Sequence, residues 1–206
     1  MISDKKVKNI LKNHLNFEAE KLEKLEYFAK SVLLFNKKRN LISKSTEKDI
    51  WHRHVLDSAQ LVKFIEVKKC KNIADLGSGA GFPGIVLAIY FSDFNFHVKL
   101  YEKSPLKSAF LINISQKLNL NCNVLCKDVF TEKISSNYIV SRAFKKLPHI
   151  LKISRENCNK KHQIILLKGR NAQDEIKKAF QYKNFRYRLE KSITSKDSKI
   201  LVVDVE

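Results

Sequence analysis

The stretch Asp75-Leu76-Gly77-Ser78-Gly79-Ala80-Gly81 is the part of this sequence best suited to hold a ligand. It follows the short apolar run Ile73 to Leu76 and precedes an apolar helical pattern, which puts it at a strand-to-helix turn. Glycine lets a chain turn sharply there and lets a ligand approach the backbone. Three of the chain's five glycines lie in this loop, more than an ordinary tight turn needs. Their spacing is Gly-x-Gly-x-Gly behind an acid, not the Gly-x-Gly-x-x-Gly of sites that bind a dinucleotide pyrophosphate. An acid at the strand end, Asp75, suits a ligand that carries positive charge instead. S-adenosylmethionine, with a sulfonium, an amino group and no phosphate, is such a ligand. Glu102 ends the next strand-like run, where a carboxylate can accept both ribose hydroxyls of an adenosyl group. Asp128 follows the third run and can reach an adenine amino group, itself or through the backbone beside it; a turn-initiating aspartate is the equal alternative.

These residues need a frame, and the periodicity supplies one. Residues 18–39 read as an amphipathic helix, with Leu22, Leu25, Phe28, Ala29, Val32 and Leu33 at helical spacing; a shorter helix precedes it and another covers 47–66. From residue 72 strand-like runs (73–76, 96–101, 123–126, 138–140, 164–167) alternate with helical stretches (84–91, 105–119, 145–157, 171–182). That alternation predicts βαβ units and a parallel sheet. Runs at 185–193 and 199–205 follow with no helix between them and read as a hairpin. The expected fold is α/β and Rossmann-like: a seven-stranded, mostly parallel sheet ending in an antiparallel hairpin (residues 71–206), under an N-terminal helical cap (1–70).

Composition narrows the partner. The net charge is +19, carried by 33 lysines and 7 arginines, which a biased genome alone could produce. The excess is uneven, however: +6 over residues 1–44, +3 over 45–141, +11 over 142–191 and −1 over the rest. Concentration in two regions points to surfaces that meet phosphate. No apolar run approaches a membrane span, and the N-terminus has no secretory pattern, so a cytoplasmic protein is expected. The four cysteines lack zinc-ligand spacing and are read as reduced, mostly buried thiols.

The order and spacing of four segments resemble one family. They are Arg53-His54-Val55-Leu56-Asp57-Ser58 with Asn40-Leu41 before it, the glycine loop extended by Phe82-Pro83-Gly84, Ser141-Arg142-Ala143-Phe144, and Leu167-Lys168-Gly169. Together they resemble the bacterial guanine-N7 methyltransferases of 16S ribosomal RNA, the glucose-inhibited division protein B family, from about residue 20 onward. The resemblance implies a class I methyltransferase that uses S-adenosylmethionine on one guanine N7 in the decoding-region loop of 16S ribosomal RNA, working on the RNA or the small subunit; a monomer is expected. The resemblance places Gly77, Phe82, Asp128, Val129 and Arg142 around the cofactor, beside Gly79 and Glu102 from the reading of the loop and strand end above. The family carries an acid where this chain has Val129; here the acid is Asp128, one place earlier.

Guanine N7 has a free lone pair and no proton to lose, so alignment and exclusion of water suffice and no catalytic base is expected. Of His52 and His54, one is expected to be buried or hydrogen-bonded and the other to meet phosphate. Arg142 can hold the cofactor carboxylate or an RNA phosphate. RNA contacts are expected from Lys38, Arg39 and Arg53 in the cap and from Lys145, Lys168 and Arg170 at the sheet edge, a cluster more telling than any one member. A class I methyltransferase acting on DNA, protein or a small molecule is the alternative the sequence excludes least, and two other classes compete. A non-catalytic RNA-binding factor would not need the intact loop with Glu102, and a nicotinamide-dependent oxidoreductase would need different glycine spacing.

Overall fold

The computed structural model describes residues 2–67, 72–180 and 186–206. Val7, Leu11 and Leu15 stand four apart and give the first segment one apolar stripe; it forms helix α1, Asp4–Leu15, capped by Ser3. Helix α2, Ala19–Asn36, buries Leu25, Phe28, Ala29 and Val32 along one face. The single helix expected over 47–66 is instead a chain of short turns. A 3-10 stretch, Lys44–Asp49, leads into a π-helical turn, Trp51–Leu56, then one turn of helix, α3, Asp57–Ala59, and a second 3-10 stretch, Gln60–Phe64. Apolar periodicity does not encode a widened turn, and such turns recur where side chains are presented to a site.

Strands β1 (Asn72–Leu76), β2 (His97–Tyr101), β3 (Cys122–Leu125), β4 (Tyr138–Arg142) and β5 (His162–Lys168) are parallel. They alternate with helices α4 (Gly84–Tyr90), α5 (Pro105–Lys117), α6 (Leu147–Asn157) and α7 (Ala172–Phe180). Strands β6 (Arg186–Lys191) and β7 (Lys199–Val205) complete a seven-stranded sheet in the order β3-β2-β1-β4-β5-β7-β6. Only β7 runs against the rest, slotted between β5 and β6. The boundaries differ from the periodicity by one to three residues, as fraying ends do; positions 181–185 of the expected helix and hairpin lie outside the described residues.

Two apolar clusters flank the sheet. One joins the N-terminal helices to α4, α5 and the sheet through Val7, Phe28, Val55, Ile85, Phe91 and Leu111. The other packs α6 and α7 on the opposite face through Leu147, Ile150, Ile164, Ile176 and Val203. The strand order turns back between β1 and β4, and an open α/β sheet offers its ligand crevice at the strands' C-terminal ends beside that point. Among the described residues no helix is long and apolar enough to cross a membrane.

The thiols are less buried than expected. Cys126 is exposed and Cys122 and Cys158 are only half-buried, since Cys122 and Cys126 lie on and just past the sheet's edge strand; Cys70 lies outside the described residues. Burial still pushes the Cys158 thiol up to about 11, which leaves it unreactive.

Candidate active site

The C-terminal ends of the parallel strands open into a cavity of about 820 Å³, within the range that holds cofactors and substrates. All seven residues expected around the cofactor, Gly77, Gly79, Phe82, Glu102, Asp128, Val129 and Arg142, line it.

The glycine loop is held by backbone. The N–H groups of Gly77 and Ser78 both donate to the Tyr101 carbonyl, at 2.9 and 3.0 Å. Gly77 (φ 70°) needs its missing side chain for packing, because a Cβ would collide with the Phe144 ring. Phe144 reaches that place because Ala143 turns through a left-handed conformation (φ 51°), which costs an L-residue roughly 1–2 kcal/mol. Gly79 (φ 58°) is different. A Cβ there meets only the Gly77 carbonyl oxygen, at 3.8 Å, so the space beside it is open cavity.

Glu102, 8% exposed, accepts from Gly79 N–H through Oε2 and from Ser104 N–H through Oε1, both at 2.8 Å. A carboxylate has about four lone-pair sites, so two hydroxyl donors can still be accommodated.

Asp75 corrects the sequence reading. It does not line the cavity but is fully buried behind the loop, where Oδ2 accepts from Gly84 N–H at 3.0 Å and Oδ1 has no partner among the described residues. Its acid therefore ties the loop to the start of α4 rather than meeting a cationic ligand. Burial pushes its carboxyl up to about 7, against the pull of the Gly84 N–H and the Arg142 charge. Between the ordinary aspartate value and about 7 the folded chain keeps a proton that the unfolded chain releases, so stability falls as pH rises and levels off above about 7. The slope is at most about 1.4 kcal/mol per pH unit. Asp75→Asn, which keeps an acceptor for Gly84, is expected to remove that slope; parallel wild-type and variant denaturation curves from pH 4 to 8 would contradict it.

Opposite the glycine loop the π-helical turn presents Arg53 and His54, and the start of α3 presents Asp57. Arg142, at the end of β4, donates to His54 Nδ1 at 2.7 Å and to the Arg53 carbonyl at 2.9 Å, lies 3.7 Å from Asp57 and sits over the Phe82 ring. A guanidinium only donates, so His54 Nδ1 is the bare nitrogen and Nε2–H donates to Thr46 Oγ1, 2.8 Å away. Thr46 in turn donates to the Ser43 carbonyl. Burial first, and then the charges of Arg142 and Arg53, hold the His54 imidazole down to about 3. It is thus the buried, hydrogen-bonded histidine. His52 Nε2 is also sealed from solvent and has no partner among the described residues, so it offers phosphate no contact through that nitrogen.

Of the residues expected to meet RNA, Arg53, Lys145 and Lys168 line the cavity, while Lys38, Arg39 and Arg170 are exposed outside its wall. Lys168 is committed to Glu175 at 2.8 Å. Lys103, Lys107 and Lys127 join the lining without having been singled out. Asp57 was legible in a motif but had no role: its Oδ1 accepts from Thr194 Oγ1 at 2.7 Å and from Gln60 at 3.0 Å. This stitches the cap to the β6–β7 turn, whose Thr194 and Ser198 also form cavity wall. No local signal links residues 137 positions apart.

Solved structures share this fold at low identity. A SAM-dependent methyltransferase from Aquifex aeolicus superposes with TM-score 0.62 and 13% identity, over 86% of this chain and 98% of its own. The magnesium protoporphyrin IX methyltransferase of Synechocystis gives 0.62 and 14%, over 93% and 99%. The fold, built around an open glycine cradle and its partner Glu102, is that of the class I methyltransferases.

Sequence comparison is more specific. Residues 21–202 match the model of the family described as rRNA small subunit methyltransferase G. Curated members include one from Pelagibacter ubique, 38% identical over 197 residues (93% of this chain, 92% of that one), and one from Rickettsia felis, 39% identical over 184 residues (89% and 93%). The chain belongs to the rRNA small subunit methyltransferase G family, and its substrate class is small-subunit ribosomal RNA.

Proposed function

We propose that the cavity holds S-adenosylmethionine along its glycine side and admits a guanine of 16S ribosomal RNA over the end of β4. The open space at Gly79, directly beside Glu102, carries this reading, because an adenosyl ribose needs both a wall without side chains and an acceptor for its hydroxyls. In it Gly77 and Gly79 approach the cofactor through backbone, Glu102 takes the ribose hydroxyls, and Asp128 with Val129 flanks the adenine. Phe82 gives an apolar wall, and Arg142 presents a held charge to the carboxylate or to an RNA phosphate. S-adenosylmethionine supplies a methyl group already activated by positive sulfur. The inferred division of labour gives residues 71–206 the cofactor and residues 1–70 the opposite wall. The same reading takes the protein as a monomer that works in the cytoplasm on the small subunit.

No side chain needs to remove a proton. Guanine N7 attacks through its own lone pair, and the residues around it align the base and keep water away. His54 is unsuited to base work, since its one lone pair is taken by Arg142 and its affinity for a proton is low. Asp75 has a suitable proton affinity but lies outside the cavity wall.

His54→Gln keeps an acceptor and a donor in place, and its single-turnover rate at saturating cofactor is expected to change by less than about tenfold, whereas loss of a general base costs roughly 10²–10⁴-fold. A larger loss in the folded variant, with the wild-type pH dependence gone, would show a proton-bearing acceptor. The function itself is tested by incubating small subunits from cells lacking the gene with labelled S-adenosylmethionine. One labelled guanine, cleavable as N7-methylguanine, is expected; label on another base or atom overturns the reading.

A further inference from the structure

The turn after β3 is built rigidly around an aromatic side chain that it holds out to solvent. Asp128 Oδ1 accepts from Phe130 N–H, and Thr131 Oγ1 donates to the Asp128 carbonyl. From α6, the Asn157 amide reaches the carbonyls of Val129, Phe130 and Glu132 at 3.0, 3.2 and 2.8 Å. Within this clasp Val129 is buried at 3% exposure while Phe130 is 40% exposed. A lone exposed apolar side chain is ordinary. Phe130 differs in its fixed backbone, in its place one residue from cavity wall, and in the Lys145 ammonium 5.9 Å from its ring centroid.

An exposed aromatic ring on a braced turn, with a cation over one face, suits an unpaired nucleobase stacked on the ring and its phosphate at the cation. Single-stranded RNA is recognised by stacking splayed bases on aromatic rings, and lysine meets the backbone. A duplex would not expose such a base. We infer that Phe130, with Lys145 beside it, is a stacking platform for an unpaired base next to the methylated guanine. Phe130 binds that base and Lys145 its phosphate, at the rim and away from the reacting atoms. The inference rests on the ribosomal RNA reading above and adds how the flanking strand is held.

Stacking and charge separate in experiment. Phe130→Ala is expected to raise KM for small subunits about 5- to 150-fold, the range of one base stacked on an aromatic ring. S-adenosylmethionine affinity by calorimetry should stay at the wild-type value. Phe130→Trp should restore the low KM and Phe130→Leu should not, because an aliphatic side chain offers bulk without a face. Lys145→Ala should lower the slope of log affinity against log salt by about 0.7, the share of one phosphate on a single strand, while Phe130→Ala leaves it unaltered. An unchanged KM in Phe130→Ala overturns the platform, as does full rescue by leucine. A parallel loss of cofactor affinity overturns it too, since Phe130 would then be an adenine wall. If wild-type protein binds the cofactor but labels no ribosomal guanine, the platform falls with the reading beneath it; if wild type labels the guanine and Phe130→Ala does so equally well, only the platform falls.

Discussion

Replacing Gly79 by valine is expected to abolish S-adenosylmethionine binding, with Kd raised by about a hundredfold or more, in a chain that still folds. Two effects add. Gly79 sits at φ 58°, where an L-residue is strained by roughly 1–2 kcal/mol and a β-branched one more so. The new methyl groups would also occupy the cavity, since nothing else lies within 3.8 Å of the added Cβ. The same openness is why the fold should survive. Gly81 and Gly84 make the contrast: a Cβ at the first would press on Ile85, Leu111 and Phe28, and at the second on Leu100 and Asp75. Substitutions at those two should lower thermal stability before they touch affinity. Gly79→Asn, whose side chain tolerates the left-handed region, separates the terms, because it relieves strain without clearing space. Wild-type affinity in folded Gly79→Val, by calorimetry with circular dichroism as control, would remove the cofactor from this loop.

The second large effect is on RNA affinity, which is expected to fall by about 300-fold between roughly 50 and 200 mM salt. Lys168 and Lys127 are committed to Glu175 and Glu132, and Arg142 is held inside by His54, Asp57 and the Arg53 carbonyl. Arg53, Lys103, Lys107, Lys145 and Lys146 on the cavity wall remain, with Arg39 on the loop that leads to it. Six phosphate contacts on a single strand give a log–log slope of about −4. A slope near zero in filter binding would mean that the positive charge serves something other than phosphate.

Much of this was legible because it is local. The glycine loop lies within seven residues, Glu102 ends a strand of clear apolar pattern, and the change from helical to alternating periodicity marks where the sheet begins. What was not legible depends on partners far along the chain. The helix expected over 47–66 unwinds into mixed turns so that His54 can meet Arg142 and Asp57 can meet Thr194, and neither partner is visible in a local window. Asp75 was misread for the same reason. Strand-end position suggested a ligand contact, while the depth of burial and the Gly84 N–H that occupies it belong to tertiary structure. Phe130 carried no signal at all, because exposure of an aromatic residue depends on how the turn beneath it is braced.

The placement of β7 bears on when this enzyme becomes competent during its own synthesis. β6 leaves the ribosome before β7 yet pairs only with β7, and β5 likewise waits for that strand on one side. Ile200, Leu201, Val202 and Val203 are each at most 1% exposed, and burying four such side chains contributes roughly 6–12 kcal/mol, as much as the net stability of a typical domain. The turn that delivers β7 also brings Thr194 to Asp57 in the cavity wall. A nascent chain that has made its glycine loop, Glu102 and Arg142 therefore still lacks an interior strand and one wall of its site.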